Sequence, residues 1–146
     1  MTRWLDEDEQ RTWRALLAMV DALQSGLDAQ LQADAAMPHA YYELLVRLSE
    51  APDRALRMSA LAEASRSSRS RLSHAVGQLE QRGWVRRETC ASDRRGQVAV
   101  LTDDGFAALE QAAPGHVAEV RRLLLDRLTT AQVRQLRAIG EAVSAP

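Results

Sequence analysis

The side chains best equipped for chemistry in this chain are arginines, and they are bunched. Between Arg54 and Gly96 there are ten arginines against four acids, whereas residues 1–53 carry four arginines against ten acids. A formal net charge of −1 therefore conceals a strongly basic middle. Guanidinium groups gathered in one stretch suit a polyanionic partner. Within that stretch Arg66, Arg69 and Arg71 are interleaved with Ser68, Ser70, Ser73 and His74, and Asp93, Arg94 and Arg95 form a second group. Small polar and basic side chains at helical spacing are what a helix needs to enter a groove about 12 Å wide and touch base edges. A solvated helix face laced with local ion pairs is the competing account of the same charges.

Two other groups invite chemistry. Cys90, the sole cysteine, is a candidate redox sensor with Arg86 and Arg87 as its cationic neighbours in sequence. The aromatic and thioether side chains of Trp13, Met37, Tyr41, Tyr42 and Met58, with His39, form a candidate ligand pocket. Plain core packing explains that set as well. Catalysis is not expected. The chain has no phosphate loop, no Gly-x-Ser-x-Gly elbow, no His-Glu-x-x-His helix and no lysine for a Schiff base. One cysteine and scattered histidines offer no metal-ligand spacing, so neither metal nor cofactor is expected.

The elements that must position these groups are mostly helical. Trp13, Leu16, Leu17, Val20, Leu23, Leu27 and Leu31 recur in steps of three and four, predicting an amphipathic helix from about Glu7. A second helix is expected from His39 to Glu50, stopped ahead of Pro52. Two short helices follow, the first capped by Ser59 and the second by Ser67 or Ser68, with Leu72, Val76 and Leu79 turned inward and Gly83 as the stop. Residues 84–89 and 97–101 read as two strands flanking a polar loop. Thr102 can cap one long helix running through Pro114 to about Leu128, and Thr129 with Gln132 makes a capping box for the last. A strand–loop–strand hairpin directly after a basic helix is a wing.

Leu79 to Arg87, the Asp93-Arg94-Arg95-Gly96 loop and Leu101-Thr102-x-x-Gly105 together resemble the MarR (multiple-antibiotic-resistance regulator) family, in order and spacing. The resemblance covers nearly the whole chain. It implies a single domain of mainly α structure with a small β-wing: a winged helix-turn-helix at about 38–112, and dimerisation helices at about 1–35 and 114–146. It also implies a regulator, most simply a repressor, that grips double-stranded DNA as a homodimer and is released by a small aromatic or phenolic ligand. By position, Arg95 is similar to the wing-tip arginine of the minor groove, and Asp93 to the acid that braces it. Ser70, Ser73 and His74 match base-facing positions, while Arg69 and Arg71 would hold phosphates. Gly77 and His74 depart from the residues usual at those places, so base preference does not carry over. A thiol-based regulator and a winged-helix protein-interaction module are the alternatives.

No apolar run approaches the ~20 residues that span a bilayer. The acidic opening Asp6-Glu7-Asp8-Glu9 is unlike a secretory signal. With no possible internal disulfide, a reducing compartment and a cytoplasmic address are expected.

Overall fold

The computed structural model describes every residue except Ala91, and of Asp93, Arg94 and Arg95 it describes the backbone alone. The elements run α1 (Glu7–Ala35), α2 (His39–Glu50), β1 (Ala55–Arg57), α3 (Met58–Ala64), α4 (Arg69–Gln81), β2 (Val85–Cys90), β3 (Asp93–Leu101), α5 (Asp103–Leu123) and α6 (Thr130–Ser144). They form two compact units, Leu31–Pro114 and the paired terminal segments Met1–Gln30 with Gly115–Pro146.

The unit Leu31–Pro114 is a winged helix. Its core is built from Leu31, Met37, Leu44, Leu45 and Leu48, from Leu61 of α3, from Leu72, Val76 and Leu79 of α4, and from Val85, Ala99 and Leu101 of the sheet. Each fully buried leucine contributes about 1.5–3 kcal/mol relative to exposure. The inward stripe of α4 is the one its spacing predicts. On α2 the deeply buried tyrosine is Tyr42, with Tyr41 only partly covered.

The sheet is antiparallel in the order β1-β3-β2. Ala55 faces Val100 across one pair, and Val85 faces Leu101 across the other. The strand β1 is not anticipated from sequence, because three residues are too few to display alternation. A 3-10 turn over Pro52–Arg54 feeds it, with Asp53 and Arg54 both at φ 54°. The hairpin is longer than expected as well: residues 93–96, read as loop, continue β3, with Asp93 paired to Cys90. The sequence Asp93-Arg94-Arg95-Gly96 has no apolar residue and so carries no period-two signal.

Caps decide several boundaries. Ser68 caps α4, its Oγ accepting from the Arg71 N–H at 3.2 Å, whereas Ser59 lies inside α3 and Arg57 precedes that helix without a side-chain cap. Gly83 follows α4 at φ 76°, a left-handed conformation that only glycine adopts freely. Helix α5 runs through Pro114 but ends at Leu123, short of the Leu128 expected, and Leu125–Arg127 tighten into a 3-10 turn. The capping box is present: Thr129 N–H donates to Gln132 Oε1 at 2.9 Å, and Gln132 N–H to Thr129 Oγ1 at 3.2 Å.

The Leu-Thr-x-x-Gly segment is a joint between hairpin and α5. Thr102 N–H donates to the Trp84 carbonyl at 3.0 Å. The Thr102 hydroxyl donates to the Gly83 carbonyl at 2.6 Å and accepts from Gly105 N–H at 3.0 Å. A Cβ on Gly105 would stand 2.1 Å from the Trp84 carbonyl oxygen, so the joint closes only on glycine.

In the unit of terminal segments, α1 opens with a reciprocal cap: Glu9 N–H donates to Asp6 Oδ1 and Asp6 N–H to Glu9 Oε2, each at 2.9 Å. Gly26 admits Leu123, whose Cδ1 would be 2.6 Å from a Cβ at that position. Among the described residues no helix is long and apolar enough to cross a membrane.

Candidate nucleic-acid interface

The basic helix α4 is delivered by a tight turn from α3. Arg66 N–H donates to the Glu63 carbonyl at 3.1 Å and Ser67 N–H to the Ala62 carbonyl at 3.0 Å. Arg66 itself sits at φ 50°. This is the paired hydrogen-bond pattern that ends helices on a left-handed residue, usually glycine. Here an arginine occupies it, at a cost of about 1 kcal/mol. The next residues extend to Ser68, and α4 begins.

Helix α4 then sorts its faces. Leu72, Val76 and Leu79 are buried, whereas Arg69, Ser70, Arg71 and His74 are exposed on the outer side together with Arg66 and Ser68 of the turn. The aligned peptide dipoles of α4 give this end a partial positive charge, which adds to the guanidinium groups. The arrangement offers cationic donors to phosphates and small donors to base edges.

Ser73 is placed differently from its exposed neighbours. It is half-buried, and its hydroxyl accepts from Arg87 Nη1 at 3.2 Å while its carbonyl accepts from Arg87 Nη2 at 2.7 Å. Arg87 Nε lies 2.8 Å from Glu80 Oε1. Sequence reasoning passed over Arg87 as a site residue. A signal was available: Arg87 is two residues from buried Val85, hence on the inner side of β2, where an arginine requires partners.

The wing is the hairpin of β2 and β3. Its backbone through 93–95 is strand, but the side chains of Asp93, Arg94 and Arg95, and with them the expected carboxylate brace, lie outside the described residues. At the end of β2, Arg57 from β1 is a cationic neighbour of Cys90 among the described residues. Arg57 Nη2 is 3.2 Å from Cys90 Sγ and 2.8 Å from Ser92 Oγ, which is itself 3.3 Å from the sulfur. Arg86 is paired with Glu88 at 2.7 Å, and Arg87 is committed to α4.

The candidate ligand residues divide. Met37 and Tyr42 are in the core, Tyr41 and Met58 pack against it, and His39 is half-buried at the start of α2. Burial pushes the Tyr42 phenol above its ordinary value. Arg82 lies over both Tyr41 and Trp84, with its guanidinium carbon 5.9 and 5.0 Å from the ring centres. Trp13 belongs to the terminal unit, where it is half exposed and lines a shallow apolar hollow with Leu5 and Leu16. Among the described residues no group of histidine, cysteine and carboxylate side chains could hold a metal ion.

Comparison with known proteins begins with the MarR family model, which matches residues 37–96. The HTH-type transcriptional regulator PecS of Dickeya dadantii is 34% identical over 85 residues, 58% of this chain and 51% of PecS. The chain thus matches about half the length of that relative. Sco3205 of Streptomyces coelicolor, a MarR family transcriptional regulator solved in complex with DNA, is 52% identical. That match covers 98% of this chain and 90% of Sco3205, with a TM-score of 0.94. The chain belongs to the MarR family of transcriptional regulators. AbsC, a further MarR family regulator from Streptomyces coelicolor, is 41% identical with a TM-score of 0.92, covering 98% of this chain and 96% of its own. Within this MarR-family chain, the Leu-Thr-x-x-Gly segment acquires a structural reason, since it closes the joint at the root of the wing.

Proposed function

We propose that this MarR-family chain binds a pseudo-palindromic operator in double-stranded DNA as a homodimer, represses from there, and is released by a small aromatic or phenolic ligand. The observation that carries the proposal is the exposed face of Arg69, Ser70, Arg71 and His74 on a helix whose opposite face is buried. Ser70 and His74 are the base-reading side chains of that face, and Arg66, Arg69 and Arg71 hold phosphates and set register. Ser68 presents the helix start to the backbone. Arg95, steadied by Asp93 and accompanied by Arg94, enters the minor groove, and Arg95→Ala then costs about 1–3 kcal/mol of operator binding. The DNA complex of Sco3205 supports the reading by similarity.

A C2 dimer is supported by the large apolar side chains left exposed in the terminal segments, among them Trp13, Leu16, Leu17, Ile139 and Val143. Two copies would span half-sites about 10 bp apart, centre to centre. Occupying a promoter is sufficient for repression, and the address that goes with it is cytoplasmic. Met37, His39, Tyr41, Tyr42, Met58 and Trp13 remain the residues proposed to sense the ligand, which acts only through its differential affinity for the two dimer geometries.

The test is selection of bound fragments from genomic DNA, followed by titration at several salt concentrations. DNA binding weakens steeply as salt rises, through counterion release. A protein-interaction module would enrich no fragment and show no such slope. A second reading, regulation through the Cys90 thiol, draws support from the Arg57 guanidinium beside the sulfur. Peroxide then releases the wild-type protein from its fragment and spares Cys90→Ser. Unchanged binding in both removes that reading.

A further inference from the structure

We propose that Arg87 is a positioning residue for DNA recognition: its guanidinium clamps the recognition helix α4 to the wing strand β2 and so sets the angle between the two DNA-reading elements. The inference rests on the DNA-binding reading above. Ser73, Gly77 and Glu80 lie four and three residues apart, so they share one face of α4. Arg87 lies along that face. Nη1 and Nη2 donate to the Ser73 hydroxyl and carbonyl at 3.2 and 2.7 Å, and Nε lies 2.8 Å from Glu80 Oε1. Gly77 forms the floor of the seat, where a Cβ would stand 3.4 Å from Nη2. Both polar ends of the face are thus engaged by one planar fork.

That geometry assigns Ser73 a different task from Ser70 and His74. Its hydroxyl is the seat of Arg87 rather than a base contact, which narrows the exposed base-reading pair on this stretch to Ser70 and His74. At Ser73 the clamp is directional, because a guanidinium is planar and donates along fixed lines, whereas an ammonium is a point charge; at Glu80 the contact is an ion pair without a hydrogen bond from Nε. With Arg87 23% and Glu80 36% exposed, the pair is also more covered than Arg3–Glu9 or Arg86–Glu88. A fork fixed at both ends of one helix face resists rotation of α4 about its own axis, and that rotation would turn Ser70 and His74 away from the bases.

The experiment uses the full chain and duplexes that the wild type enriches from a random-sequence pool. The readout is the specificity ratio, the affinity for an enriched duplex over that for the unselected pool, at fixed salt, together with the salt slope and the melting temperature. In Arg87→Lys the ratio falls about tenfold, in keeping with loss of a charge-assisted hydrogen bond, while the salt slope is kept. Ser73→Ala leaves every charge in place and lowers the ratio about threefold. Arg87→Gln and Glu80→Gln combine to less than the product of their separate effects. If Arg87→Gln fails to fold, Arg87→Lys and Ser73→Ala decide the matter. Full retention of the ratio in Arg87→Lys, or parallel losses for selected and unselected DNA with a slope lower by about one phosphate, would mean a phosphate contact and overturn the clamp. A lower melting temperature with an unchanged ratio would mean a purely structural role and overturn it too. Failure of the wild type to enrich any duplex removes the DNA-binding reading itself and this inference with it. Enrichment with unaltered variants removes only the inference.

Discussion

The two units of the chain handle apolar side chains in opposite ways. In Leu31–Pro114, leucines from α2, α3 and α4 and the inner positions of the sheet close over one another, and every residue counted as buried lies there. In Met1–Gln30 and Gly115–Pro146 none is buried, although Trp4, Leu5, Trp13, Leu16, Leu17, Val117, Ile139 and Val143 are all large and apolar. The first unit satisfies its hydrophobic pattern from within one chain. The second carries the same kind of pattern without closing it, and that open stripe is what the proposed dimer rests on. Amphipathic periodicity therefore predicts helices equally well in both units but predicts a core in only one.

The contrast can be broken most severely at the joint of the closed unit. Gly105→Ala forces a methyl group against the Trp84 carbonyl and the Leu101 side chain. We expect a loss of about 3 kcal/mol, at the upper end for overpacking, and a melting temperature lower by about 10 °C in a thermal scan. A shift of under two degrees would show that the joint yields. In the open unit the corresponding substitution should act through association rather than folding. Leu17→Glu on the exposed stripe of α1 should leave the circular dichroism of the fold intact and weaken dimerisation at least tenfold in sedimentation, since a charge is placed in an apolar contact. An unaltered dimer would exclude that stripe from the interface.

Arg66 sharpens the comparison by setting fold against function inside the closed unit. Replacing it with glycine relieves a left-handed arginine and should stabilise the protein by about 0.5–1 kcal/mol in urea denaturation, while weakening DNA binding and lowering the salt slope by about one phosphate. Weaker folding and unchanged binding together would mean that the arginine serves the turn alone.

The smallest effects are in pH, and they differ in cause between the units. Tyr42 is raised by burial, so folding favours its neutral form. Its contribution is complete below the unfolded value near 10 and is lost as pH rises beyond it, a decline that Tyr42→Phe should remove. Glu119 is lowered, first by its hydrogen bond to Arg122, so its contribution is present above the unfolded value near 4.5 and fades as pH falls through the lower folded value. Because its partner Arg122 is exposed, this pair should respond to salt as well as acid, and Tyr42 to neither. Chemical-denaturation midpoints across pH for Tyr42→Phe and Glu119→Gln would separate the two.

Legibility in the sequence followed the strength of local signals. The limits of α2, the Leu72-Val76-Leu79 stripe, the Thr129 capping box and the Thr102 cap were readable because each is written within a few residues. The strand β1 was not, being three residues whose conformation is decided by pairing with β3, more than forty positions away. Arg87 and Arg57 were missed for the same reason. Their partners, Ser73 and Glu80 in one case and Cys90 with Ser92 in the other, come from other elements, and charge alone does not say which arginines face water.

The glycine joint at Trp84, Thr102 and Gly105 has a mechanical corollary. Strand β3 has nine residues, so it extends about 30 Å from that fulcrum. A tilt of about 10° at the base would swing its far end by about 5 Å, more than a hydrogen bond tolerates. Stiffness at residue 105 is thus a form of aim: a bead-sized gap beside one carbonyl governs where the far end of a strand arrives.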